Sequence, residues 1–206
     1  MAGPGDDRRR REILEATWQL IADRGYHAVR VADIASVCGT STGTIHYYFP
    51  GKQDVLTEAL RHCVQQAFDR QQAALQSVTG AKQRLLKLID LQLPKPGNVR
   101  SEWLIWIQFW AEAALRPELQ PIHNEFYARW HEAVLRLIIR GQADGQFRDL
   151  DPAEATHRFT ALTDGLAIQL LSGAPGMDLP TMRRLLVDFV ERDLSAPVPG
   201  RRRVAG

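Results

Sequence analysis

Apolar residues recur every three or four positions along most of the chain, which is the spacing of amphipathic α-helices. The pattern predicts an all-α fold of nine helices, with no strand and no sequence repeat. Two of the predicted helices lie within 31–50. The other seven lie at about 7–23, 52–78, 81–93, 101–115, 117–141, 151–172 and 178–194. We divide the chain into a three-helix domain at 1–51, a mostly antiparallel helical domain at 52–194 and a disordered tail at 195–206.

The most informative segment is 31–50, whose residue types follow those of a helix-turn-helix. Small Ala35 lets the second helix cross the first closely, and Gly39 supplies the positive φ angle of the turn. Ile34 and Ile45 provide apolar side chains that fix the angle between the two helices. One face of the second helix is then free to enter a DNA groove.

The second helix of this motif, at about 42–48, carries a surface suited to DNA. Hydroxyls at 40–42 can cap free amides or bond phosphate oxygens. Gly43 costs a helix about 1 kcal/mol relative to alanine, but it suits close approach of the backbone to another surface. The side chains predicted to be exposed are Thr44, His46 and Tyr47. A short surface helix in an ordinary bundle is the alternative, and the agreement of spacing with exposed chemistry favours DNA binding.

Residues 8–56 resemble the N-terminal signature of TetR-family transcriptional regulators. The matching residues are Gly25, Tyr26, Asp33, Ile34, Ala35, Gly39, Ser41, Thr42, Gly43, Tyr47, Tyr48, Phe49 and Lys52. Two places depart from it. Val31 stands where a Ser or Thr usually caps the first motif helix. Residues 45–49 read Ile-His-Tyr-Tyr-Phe, with His46 second, where the family commonly has Leu-Tyr-Tyr-His-Phe. The resemblance implies a repressor that binds a palindromic DNA operator as a homodimer, with Tyr47 and Lys52 on phosphates.

The net charge of +2 is weak evidence for a nucleic-acid partner, so the prediction of DNA binding rests on the motif. Basic residues nevertheless fall where such a motif meets phosphates, in the first helix, before the second and at the start of the fourth. Thr42, Thr44 and His46 are the candidates for reading base edges. The predicted DNA-binding residues are Arg8, Arg9, Arg30, Ser41, Thr42, Gly43, Thr44, His46, Tyr47 and Lys52.

Four of the five tryptophans lie between 103 and 130. Trp103, Trp106 and Trp110 are three and four residues apart, so they share one face of a helix. Two interpretations are open: the aromatic residues fill a core, or they line a pocket for a small molecule, since three indoles are bulky and their N–H groups need partners. The predicted ligand-binding residues are Trp103, Trp106, Phe109, Trp110, Glu112, Phe126 and Trp130.

The second half of the chain resembles the effector half of BetI-type TetR regulators, through the runs 103–111, 116–117 and 162–166. That resemblance implies an effector related to choline, and the hypothesis is an aromatic cage for an alkylammonium or another amine. Glu112 would add counter-charge if it faces inward. A DNA-binding protein without any small effector is the alternative, and it applies if the tryptophan region is solid.

The last two helices carry apolar stripes wider than one thin helical layer covers, and two-fold pairing would bury them in a four-helix interface. The TetR resemblance also implies dimerisation through these helices. Packing within one chain is the alternative. The predicted dimerisation residues are Phe159, Leu162, Leu166, Leu170, Met182, Leu185, Leu186 and Phe189.

Other features point to a cytoplasmic regulator without a membrane partner. No apolar run reaches transmembrane length, no signal peptide precedes the charged start, and the two cysteines are too few for a disulfide framework. Cys38 is interpreted as a small apolar filler, with a redox switch as the alternative.

A zinc or iron enzyme is the second class of function that the sequence raises. Glu154 and His157 match the Glu-x-x-His pattern of di-iron bundles, but no second copy occurs. His123 and His131 lie about two helical turns apart, too far to share one metal. Neither a glycine-rich phosphate loop nor a nucleophile elbow is present. The prediction is therefore a non-enzymatic regulator with no metal and no cofactor.

Overall fold

The computed structural model describes residues 4–197 of the 206-residue chain. Nine α-helices follow one another in this part, which confirms the predicted all-α fold. They are α1 (Pro4–Arg24), α2 (Val31–Val37), α3 (Thr42–Tyr48), α4 (Lys52–Leu75), α5 (Ala81–Gln92), α6 (Asn98–Leu115), α7 (Gln120–Ala143), α8 (Pro152–Leu171) and α9 (Leu179–Phe189).

Several helix ends differ from the predicted ones. A 3-10 turn at Pro117–Leu119 precedes α7, and a π-helical turn at Val190–Leu194 follows α9. The predicted tail at 195–206 begins too early, because Ser195 is buried and forms an isolated antiparallel bridge with Phe147. Backbone hydrogen bonds hold the chain there, from the Arg148 amide to the Leu194 carbonyl at 2.8 Å and from the Ala196 amide to Gln146 at 2.9 Å. Residues 198–206, with the three arginines at 201–203, lie outside the described part.

The turn of the helix-turn-helix has the geometry that its sequence predicts. Gly39 has a φ angle of +58°, which a residue with a side chain adopts only with strain. The Thr40 amide then donates to the Ala35 carbonyl at 2.9 Å, which closes the end of α2. At the other end of α2 the N-cap residue is Arg30, and Val31, predicted at the cap position, is the first helical residue. The Asp33 carboxylate accepts from the Arg30 amide there at 2.9 Å.

The described residues separate into two compact units. The first contains residues up to 73 together with 94–126, and so holds α1–α3, most of α4, and α6. Its core joins Ile13 of α1, Ile34 of α2 and Ile45 of α3 to Leu56 of α4 and Phe109 of α6, all nearly inaccessible to solvent. The functional boundary after residue 51 stays a prediction, because this core continues across it.

The second unit contains residues 74–93 and 127 onwards, with α5, most of α7, α8 and α9. Four of the predicted dimerisation residues are buried inside this unit: Phe159, Leu166, Met182 and Leu186. They lie on the helices α8 and α9, which pack on each other. The other four are only half-buried: Leu162, Leu170, Leu185 and Phe189. Dimerisation through these helices stays a prediction, and the half-buried residues are the ones still open to a partner.

Candidate DNA-binding and effector sites

The α3 helix presents a polar face outward and one apolar anchor inward. Ser41 caps it, because its hydroxyl accepts from the Thr44 amide at 3.1 Å. Ile45 is 1% exposed and holds the helix against the core, whereas Thr42, Gly43 and His46 are exposed and Tyr47 is 75% exposed. The arrangement leaves the 42–47 segment open to a partner, as the sequence predicts.

Thr44 is less available than the sequence predicts. Its hydroxyl lies 3.0 Å from the Ser41 hydroxyl, and its side chain is half-buried. The Ser41–Thr44 pair therefore stabilises the start of α3. Thr42 and His46 are the exposed side chains that remain for base edges.

The predicted phosphate ligands divide into structural and exposed ones. Arg9 donates to the Cys38 carbonyl and to Glu12, both at 2.9 Å, so it ties α1 to the end of α2. The Lys52 ammonium donates to the His27 carbonyl at 3.0 Å but stays exposed. Arg8 is also exposed, with Glu12 at 3.6 Å. Arg30 is exposed, and its side chain forms no ion pair within the described residues.

The aromatic residues of α6 pack mostly on each other. The Trp106 ring centroid lies 5.8 Å from that of Phe126, 6.1 Å from Trp110 and 6.3 Å from Phe109. Trp103, Phe109 and Phe126 are buried, which favours a core role for these three, while Trp106 and Trp110 are half-buried. The buried Trp110 Nε1 has no hydrogen-bond acceptor among the described residues. The Nε1 of Trp18 on α1 is likewise without an acceptor there.

Glu112, a predicted ligand residue, contacts other groups of the chain, although its Oε2 accepts no hydrogen bond within the described residues. Its carboxylate contacts the His27 ring, and the Arg116 Nε lies 3.2 Å from its second oxygen. One turn earlier on α6, the Gln108 side chain accepts from the Tyr26 amide at 3.0 Å. Gln108 and Glu112 thus hold the loop between α1 and α2, and we call this pair of contacts the α6 clamp. Sequence spacing gave no sign of it, since the partners are far apart along the chain.

Trp130 belongs to the second unit, where its ring centroid lies 6.4 Å from that of Phe159. Nearby on α7, the Tyr127 hydroxyl donates to the Asp164 carboxylate of α8 at 3.0 Å. Burial raises the pKa of Asp164 to about 6, and the Tyr127 hydrogen bond acts against that rise. Asp164 is absent from the predicted site. Its signal was an acidic residue on a helix whose neighbouring positions Leu162 and Leu166 are apolar.

The described residues contain no group of three His, Cys, Asp or Glu side chains placed to hold a metal ion. Glu154 pairs with Arg158, and the rings of His131 and His157 stack with centroids 4.4 Å apart. Burial raises the pKa of both cysteine thiols, that of Cys63 to about 12. Neither thiol is therefore activated as a thiolate, which favours the filler interpretation of Cys38. Within residues 4–197 no helix is both long and apolar enough to cross a membrane.

An exposed, capped α3 anchored through Ile45 in a glycine-turned pair defines a helix-turn-helix DNA-binding protein. Two family models cover most of the chain. Residues 13–59 match the bacterial regulatory proteins of the TetR family, and residues 81–195 match the C-terminal domain of BetI-type transcriptional repressors. The chain therefore belongs to the TetR family of transcriptional regulators, with a BetI-type C-terminal domain. These are families of ligand-responsive regulators and not of enzymes.

Individual relatives extend over nearly the whole chain. The regulator BetI 1 of Chromohalobacter salexigens is 27% identical over 194 residues, which are 91% of each chain. A transcriptional regulator from Saccharomonospora viridis, crystallised with choline, is 48% identical and has a TM-score of 0.87, covering 93% of this chain and 100% of that one. A TetR-family regulator from Rhodococcus sp. is 27% identical, with a TM-score of 0.80. The match covers 90% of this chain and 97% of the Rhodococcus chain.

Proposed function

We propose that the protein is a repressor that binds a palindromic operator as a homodimer and is released by a small quaternary ammonium compound. The observation that carries this proposal is the exposed, capped α3 in a chain 48% identical to a regulator crystallised with choline. Two copies of α3, about 34 Å apart, would enter successive major grooves of B-form DNA. Because its target is the chromosome, we assign the protein to the cytoplasm.

On DNA, the exposed residues of α3 and its flanks divide by chemistry. Tyr47 and Lys52 donate to phosphates, supported by their exposure and by the TetR pattern. Arg8 and Arg30 add basic groups at the edges of the same surface. Thr42 and His46 read base edges, since they are the polar side chains of α3 that stay exposed.

Gly43 tests whether the α3 backbone approaches DNA closely. A Cβ added there would meet only the Ser41 hydroxyl oxygen, at an ordinary 3.5 Å, so nothing in the described part of the chain requires a glycine. Gly43→Ala is therefore expected to stabilise the protein by up to about 1 kcal/mol while weakening operator binding severalfold. Thermal unfolding and fluorescence anisotropy on the same sample check the two effects. Unchanged DNA affinity would place the α3 backbone away from DNA.

The outer face of α8 supports the dimer. Leu162 and Gly165 are half-buried and Ile168 is 38% exposed, and the three residues lie on one side of the helix. A Cβ at Gly165 would meet nothing within 4 Å among the described residues, so a partner could approach the helix closely there. Leu185 and Phe189 of α9 are half-buried, and the Phe189 ring centroid lies 6.3 Å from that of Phe159 on α8. We define the dimer face as Leu162, Gly165, Ile168, Leu185 and Phe189.

The proposal of a quaternary ammonium effector is supported by partly exposed tryptophan rings and by the regulator from Saccharomonospora viridis. Trp130 in the second unit keeps a partly exposed ring, as do Trp106 and Trp110 in the first unit taken by itself. Indole is the best aromatic partner of a quaternary ammonium. The unsatisfied Trp110 N–H suits a hydroxyl oxygen of the kind that choline carries. The Saccharomonospora viridis regulator was crystallised with choline itself.

Operator release by choline tests the function as a whole. The operator is first obtained by selecting fragments of the host genome that bind the protein, which are expected to share a palindrome. Saturating choline should then lower the operator affinity about 5- to 150-fold, the usual range of allosteric coupling. Fluorescence anisotropy of the labelled operator measures it, with glycerol as the uncharged control. A choline-insensitive complex, or tighter binding with choline, would contradict the proposed release.

A further inference from the structure

We propose that Asp164 provides the negative charge that receives the ammonium group of the effector, with the Tyr127 hydroxyl holding its carboxylate in place. This inference rests on the proposed function, because it assumes that the effector is a cation. It assigns the counter-charge to a residue of the second unit, whereas the predicted residue Glu112 lies in the first. It also restricts the effector class to small cations that carry an apolar surface.

The two carboxylates of the aromatic-rich helix α6 already lie next to arginines. Both oxygens of buried Glu102 accept from the Arg70 guanidinium, at 2.8 and 2.7 Å. Glu112 contacts the His27 ring and has the Arg116 Nε at 3.2 Å from its Oε2, although that oxygen accepts no hydrogen bond within the described residues. A ligand cation would compete with Arg70 at Glu102 and with Arg116 at Glu112.

Asp164 differs in having no cationic partner within the described residues. It accepts one hydrogen bond, from the Tyr127 hydroxyl at 3.0 Å, which leaves its second oxygen without a donor there. Burial raises the pKa of Asp164 to about 6, so at neutral pH the carboxylate is ionised but poorly solvated. Such a charge costs free energy until a cation reaches it, and a cationic ligand would remove that cost.

Aromatic side chains next to Tyr127 suit a quaternary ammonium. Tyr127 and Trp130 lie one turn apart on the same side of α7, and the Trp130 ring lies against that of Phe159. The Thr160 hydroxyl donates to the Thr156 carbonyl at 3.0 Å, so it is already engaged. A quaternary ammonium carries no N–H, and it needs only an aromatic face and an opposite charge at contact distance.

Isothermal titration of the full-length protein at neutral pH tests the inference with two ligands. One is choline, and the other is its uncharged isostere, in which carbon replaces the ammonium nitrogen. Asp164→Asn keeps the shape and the contact with Tyr127 but removes the charge. It is expected to weaken choline binding at least about tenfold and to leave binding of the isostere unchanged. Asp149→Asn, an exposed aspartate in the same unit, is the matched control and should behave as wild type.

The outcomes separate this inference from the proposed function. If the wild-type protein does not bind choline, both the proposed function and this inference are wrong. If the wild-type protein binds choline and Asp164→Asn binds it with the same affinity, only this inference is wrong. If Asp164→Asn has no cooperative thermal transition, Asp164→Ser, which is also uncharged and can accept from Tyr127, replaces it and is judged by the same comparison.

Discussion

Replacing Ile168 by arginine is expected to convert the dimer into a monomer and to lower operator affinity at least about 100-fold. Ile168 of α8 is the most exposed residue of the dimer face, with 38% of its surface accessible. In a two-fold interface one substitution introduces two charges, and each loses hydration without gaining an opposite partner. A monomer holds one half-site only, and a loss of about 2.8 kcal/mol already corresponds to a 100-fold change in affinity.

Ile139→Arg is the matched control for this prediction. Ile139 lies on α7 in the same unit and is 48% exposed, more than Ile168, so it presents a similar apolar side chain outside the dimer face. Light scattering at micromolar concentration should find this variant dimeric, with unchanged operator binding. If Ile139→Arg dissociates the dimer and Ile168→Arg does not, the interface lies on another face of the protein.

The helix-turn-helix could be predicted from sequence because its determinants are local. The positive φ angle of Gly39, the Ser41 cap and the buried Ile45 each depend on residues within one or two turns of each other. The start of α2 shows the limit of such rules, because no hydroxyl side chain caps it. The Asp33 carboxylate accepts from the Arg30 amide instead, and this hydrogen bond also stabilises the start of α2.

The contacts of the predicted effector and dimerisation residues could not be read from the sequence, because they depend on residues that are distant along the chain. A stripe such as Phe159, Leu162 and Leu166 shows that a helix has an apolar face, but not which edge of that face its own chain covers. The contact of Glu112 with His27 joins α6 to the loop after α1, and spacing along α6 gives no sign of it. Asp164 was missed because its hydroxyl partner Tyr127 lies 37 positions away in sequence.

The α6 clamp leads to the second large prediction, loss of the response to the effector. Gln108 and Glu112 are one turn apart and hold the Tyr26–His27 loop, which leads directly into α2 of the DNA-binding motif. Trp106 and Trp110 lie on the same helix, so a ligand that displaces α6 also displaces this loop. Coupling requires the ligand to favour one of two arrangements, and rigid contacts transmit that preference.

The double variant His27→Ala with Gln108→Ala removes one side chain from each contact. Choline is expected to bind it with affinity close to that of wild type, because neither residue belongs to the proposed effector site. Choline is expected to lower the operator affinity of the wild-type protein about 5- to 150-fold, and to leave the operator affinity of the double variant nearly unchanged. Titrations of choline alone, and of the operator with and without choline, separate binding from coupling.

A control pair from the same unit is Glu118→Ala with Gln120→Ala, both exposed next to the start of α7. It should keep the full response to choline, since neither side chain contacts the loop at 25–30. If the clamp variant also keeps the full response, the motion reaches α3 by another route. The N-terminal half of α4 is then the alternative, because Val55 and Leu56 share a core with Ile45, and a shift of that helix would move α3 without the loop.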